Sequence, residues 1–170
     1  MFNKGDYIVH GSSGTCRVEE ITHIDLPGSD KDRLYYCLLP VYGGNSKVYT
    51  PVDSDKVPMR RILTKQEAEQ LLSDIPKIET MEAPGEKFRE DSYKEVMKKI
   101  DCRSCVSMMK MLFQKRKTRL AEGRKFTAVD ERYLKAAEDS LFTELAVVFE
   151  EDREEAQKRF IQSISLCEFD

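Results

Sequence analysis

The spacing of apolar residues changes period near residue 64, and this change constrains the fold of the 170-residue chain more than any other feature. Before it, short stretches rich in β-branched and aromatic residues are cut by turn residues. Tyr7, Ile8 and Val9 precede Gly11-Ser12-Ser13-Gly14, and a second run over residues 15–24 precedes Leu26-Pro27-Gly28-Ser29-Asp30. Residues 34–39 are apolar on both faces, as in a central strand, and Gly43-Gly44-Asn45 predicts a tight turn. Residues 47–50 predict a further strand stopped by Pro51, and residues 57–62 a fifth. Five short antiparallel strands suit a small β-barrel, because closure removes the edges so short a sheet would otherwise expose.

From Thr64 the apolar period is helical. Thr64 and Glu67 have the spacing of a capping box, and Asp74-Ile75-Pro76 ends a short first helix. A linker over residues 77–85 precedes a second helix over about residues 87–100, with Tyr93, Val96, Met97 and Ile100 on one face. Asp101 caps a third, in which Cys105, Met108, Met109, Leu112, Phe113 and Leu120 recur at helical spacing until Gly123. Thr127 caps a fourth with Asp130 at the box position, and a weaker pattern over residues 153–164 predicts a fifth. The expected class is α+β, with a five-stranded antiparallel barrel over residues 1–63 and a short helix and linker over 64–86. An all-α domain of four to five helices then occupies 87–170.

The residues give little support to catalysis. Cys102-Arg103-Ser104-Cys105 is a CxxC at a helix start, where the dipole favours a thiolate, but Cys105 lies on the apolar stripe and the context is helix to helix. It is read as a structural pair. A zinc site needs four ligands and finds two here, so no metal is expected. His10 and His23 have no neighbouring nucleophile and acid and are read as turn or surface residues. Neither a dinucleotide fingerprint nor a P-loop occurs, so no cofactor is expected. No apolar run approaches a membrane span, and the start lacks the features of a signal peptide; a cytoplasmic monomer with no membrane partner is expected.

Charge is unevenly distributed. Residues 81–126 hold 13 Lys/Arg against 7 Asp/Glu, whereas residues 127–170 hold 5 against 12. Because screening limits each charge to about 8–10 Å, the basic segment can attract phosphates whatever the total charge. Arg103, Lys110, Lys117 and Arg124 recur every seven residues. That spacing places the first three along one side of the third helix, with Lys94, Lys98 and Lys99 contributed by the helix before. Between Arg103 and Lys125 only Glu122 is negative, which sets nucleic-acid contact level with a merely solvated face as the reading of this segment.

The opening Phe2-x-x-Gly5-Asp6-x-Ile8-Val9-His10-x-x-x-Gly14-x-Cys16-x-Val18-Glu19 is followed by Val48-Tyr49-Thr50-Pro51-Val52, Val57-Pro58-Met59-Arg60 and the stretch from Phe126 to Ala137. Together they resemble the CarD/CdnL family of bacterial transcription regulators, over about residues 1–150. The resemblance implies a Tudor-like β domain that docks on the RNA polymerase β subunit. It also implies a helical domain that contacts promoter DNA, largely without sequence preference, at the upstream edge of the transcription bubble and modulates open-complex stability. The docking set would be Ile24, Val48, Tyr49, Thr50 and Pro51. The DNA-facing set would be Phe88, Arg89, Lys94, Arg103, Lys110, Lys117 and Arg124. Family members carry docking arginines where this chain has Ile24 and Tyr49, and a tryptophan wedge where it has Phe88-Arg89; the chain has no Trp. Phe88 could serve as a smaller wedge, Arg89 could read the groove, or Phe88 could belong to the core, the reading preferred here. The alternative function is an adaptor of the same fold whose helical domain binds another protein.

Overall fold

A computed structural model describes residues 1–166. The chain forms two compact units, residues 1–62 and 63–170.

In the first unit β1 (Tyr7–His10), β2 (Gly14–Thr22), β3 (Tyr35–Pro40), β4 (Val48–Pro51) and β5 (Met59–Arg61) form one sheet in the order β4-β3-β2-β1-β5. All neighbours are antiparallel. Gly14, at φ 70°, closes the β1–β2 turn opposite His10, in a backbone region that side chains with a Cβ resist. Period-two alternation sends Ile8, Cys16, Val18, Tyr36 and Leu38 inward as a buried cluster, against which Phe2, Ile21, Val48, Val52 and Met59 pack.

The expected barrel is corrected: the sheet is open, with β4 and β5 as its edges. Strands of four and three residues offer too few ladder positions to close it. The interior is instead drawn together by side chains, since His10 Nε2 on β1 lies 2.9 Å from Thr50 Oγ1 on β4. His10 is therefore buried, not a turn or surface residue, because β1 turns it inward alongside Ile8. Pro51 does not stop β4 but is its last residue, opposite Tyr35, a place an edge strand permits.

The second unit contains α1 (Lys65–Asp74), a 3-10 turn (Ile75–Lys77), α2 (Arg89–Lys98), α3 (Cys102–Ala121), α4 (Ala128–Phe149) and α5 (Arg153–Ser165). The capping box at Thr64 is formed in both directions, with Glu67 N donating to Thr64 Oγ1 at 3.1 Å and Thr64 N to Glu67 Oε2 at 2.9 Å. Asp101, Thr127 and Asp152 cap α3, α4 and α5 through side-chain oxygens. Ala68 and Leu71 of α1, Ile75, Tyr93 of α2, and Val106, Met109 and Leu112 of α3 share one core with Leu134, Ala137, Leu141 and Leu145 of α4. The weakly patterned α5 joins it through Ala156 and Phe160; the Phe160 ring centroid lies 5.4 Å from that of Phe142.

Candidate functional site

Two surfaces carry the residues singled out by sequence. On the first unit, β4 is an edge strand of the sheet, paired among the described residues with β3, and an edge strand is the kind of element that can accept another strand. Alternation divides the strand. Val48 and Thr50 turn inward, Val48 onto the core and Thr50 to His10, while Tyr49 stands out over Cys37 at 40% exposure. The neighbouring Cys37 thiol holds the Tyr49 phenol above its usual range. Pro51 is half-buried, and so is Ile24, just past the end of β2, where its carbonyl accepts from Ser29 Oγ at 3.3 Å.

On the helical unit the expected stripe is interrupted. Lys110 is buried at 7% exposure, its Nζ donating to the Ile78 carbonyl at 2.7 Å. The seven-residue spacing does align Lys110 with Arg103 and Lys117, but the chain after the 3-10 turn crosses α3 at this point. Ser107 Oγ donates to the Glu79 carbonyl at 2.7 Å, and Met81 N to the Ser107 carbonyl at 3.2 Å. Arg103, at the start of α3, is 2.7 Å from Asp74 Oδ2, and this hydrogen bond holds the Asp74 carboxyl below its usual range. Lys94 is exposed and lies 3.8 Å from Glu90.

Exposed basic residues gather instead at the far end of α3. Arg116, Lys117, Arg124 and Lys125 are exposed there. Arg116 lies over the Phe113 ring at 5.2 Å, Arg119 Nε donates to the Lys125 carbonyl at 2.8 Å, and Arg124 lies 3.9 Å from Glu122.

Phe88 is 62% exposed, so the core reading is corrected. It is the N-cap of α2, one residue before the helix proper, and Tyr93, Val96 and Met97 do the packing in its place. Lys87 Nζ lies 5.9 Å from its ring centroid. Arg89, by contrast, turns inward to Asp130 at 3.4 Å with its side chain 17% exposed.

Asp130, expected only as a box residue, is fully buried, and its partners are what sequence spacing missed. Its carboxylate accepts from Tyr93 Oη at 2.7 Å and pairs with Lys115 Nζ at 2.9 Å, in addition to Arg89. Burial pushes the carboxyl upward, but the hydrogen bonds from Tyr93, Lys115 and Thr127 outweigh it and hold the group below its usual range. Burial and the hydrogen bond to this carboxylate push the Tyr93 phenol upward.

Cys102 is buried, and its thiol donates to Glu144 Oε2 at 3.3 Å; the other oxygen of Glu144 accepts from Leu63 N at 3.0 Å. The Cys105 thiol lies 3.8 Å from the Ala137 carbonyl, to which it donates. Among the described residues no group of three or more His, Cys, Asp or Glu is placed to hold a metal, and no helix is long and apolar enough to cross a membrane.

Residues 2–63 match the family model of the CarD-like/TRCF RID domain. The first unit thus belongs to a CarD-like family of RNA-polymerase-interacting domains, and the match carries a transcription-related role. A search of curated proteins finds no match to the chain.

Proposed function

We propose that this chain is a non-enzymatic transcription regulator that docks on the β subunit of RNA polymerase through the β4 edge. The helical unit contacts promoter DNA near the upstream edge of the bubble and modulates open-complex stability. The observation that carries the proposal is the outer edge of β4, with Tyr49 beside it, inside the domain that matches the polymerase-interacting family. Strand addition at such an edge supplies affinity through backbone hydrogen bonds, and the outward side chains supply specificity.

The DNA arm is supported by the exposed Phe88 and the basic end of α3. Phosphate attraction needs no sequence readout, and an apolar ring can seat against an unstacked base step. The ion pairs of Arg103 and Lys94 and the burial of Lys110 favour the second reading, an adaptor whose helical unit binds protein.

Tyr49→Asp places a charge on the docking edge without disturbing the inward Thr50. We expect the variant to bind polymerase about 30-fold more weakly in a titration, the loss of one aromatic hot spot worth roughly 2 kcal/mol. Undiminished binding by a folded variant would remove β4 from the interface.

A further inference from the structure

The carboxylate of Asp130 gathers more partners than a helix cap uses. The backbone N of Asp130 caps α4 by donating to Thr127 Oγ1 at 3.3 Å. The side chain draws Tyr93 and Arg89 from α2 and Lys115 from α3 into one buried junction. Stability alone does not call for buried charge here, since apolar replacement of such groups is often neutral or stabilising.

The junction does have a directional consequence. Arg89 is the first residue of α2, and Phe88 is its N-cap, directly before it. Arg89 turns inward to Asp130 while Phe88 is exposed. The backbone at Phe88 is held on both sides, its N donating to the Gly85 carbonyl at 3.0 Å and its carbonyl accepting from Ser92 Oγ at 2.9 Å. Asp130 engages Arg89 and Lys115, while Lys87 Nζ lies 5.9 Å from the Phe88 ring centroid.

We infer that Asp130 is a positioning residue for Phe88: through Arg89 it fixes the start of α2 so that the exposed ring stands ready to contact DNA. Its role in DNA contact rests on the function proposed above. Asp130 does not touch DNA itself; it acts through Arg89.

The chain lacks tryptophan, so Phe88→Trp installs a single fluorescent reporter at the position concerned. Full-length F88W is compared with F88W/D130N and F88W/R89Q. The second double variant leaves Asp130 paired with Lys115 and Tyr93, and so keeps the test open if D130N does not fold. Circular dichroism establishes which chains retain their helices. In each folded double variant we expect indole anisotropy without DNA to fall, and affinity for a forked promoter duplex to drop about tenfold. Unchanged anisotropy in a folded double variant overturns the inference. A fall in anisotropy with equal DNA affinity in all three chains keeps Asp130 as the anchor of residue 88 and overturns the DNA reading instead.

Discussion

His10 has both ring nitrogens near hydroxyls, Nε2 at 2.9 Å from Thr50 Oγ1 and Nδ1 at 3.2 Å from Ser12 Oγ. Burial lowers its pKa below the usual imidazole value of about 6.5. A group favoured in its neutral form by folding contributes stability above its unfolded pKa, and that contribution is lost as pH falls through the folded value. His10→Gln should therefore cost about 1 kcal/mol at pH 7.5, the scale of one net hydrogen bond. The difference from the parent should shrink as the medium is acidified below the usual imidazole value. Paired denaturant titrations at several pH values check this, and a difference constant across the range would show that His10 is not the titrating group. Tyr49 and Thr50 illustrate what single residues disclose: strand alternation alone implies that one faces out and the other in. That Thr50 meets His10 was not legible, because the partners are forty residues apart on strands that are not neighbours.

Among elements, the helix starts were legible because capping is local: Thr64, Asp101 and Thr127 each accept from a backbone N three residues on. The surface of α3 was not. Heptad spacing correctly implies that Arg103, Lys110 and Lys117 are aligned, but whether the line meets solvent depends on residues 78–81, some thirty positions away, which cover Lys110. Phe88 depended on the exact first residue of α2, the kind of boundary that spacing defines least well. Asp130 was half legible, as a capping position, while its partners Arg89 and Lys115 came only from the packing of three helices. The open edge of the sheet likewise turned on the short lengths of β4 and β5. The CxxC is an element-scale feature with a consequence of its own. With the Cys102 thiol donating to Glu144 and the Cys105 thiol to the Ala137 carbonyl, Cys102→Ser with Cys105→Ser should leave transcriptional activity unchanged and lower stability by about 1–2 kcal/mol. Activity and a thermal melt measured on the double variant check this; loss of activity without loss of fold would restore the redox reading.

At the scale of the molecule, the family match covers residues 2–63, and the helical unit adds an exposed ring and a basic helix end to that polymerase-interacting domain. The bridging account requires both surfaces to act in one complex, the edge of β4 on protein and the end of α3 on DNA. The most direct test is the competitor-challenged decay of an open promoter complex, followed over a range of salt concentrations. The parent is compared with a chain carrying Lys117→Gln, Arg124→Gln and Lys125→Gln. Each phosphate contact contributes about 0.9 to the slope of log affinity against log salt, so the triple variant should flatten the slope of DNA binding by roughly 2–3. Its open complexes should decay faster while polymerase binding stays at the parental level. Equal slopes and equal decay rates would contradict the bridge and leave the adaptor as the better account.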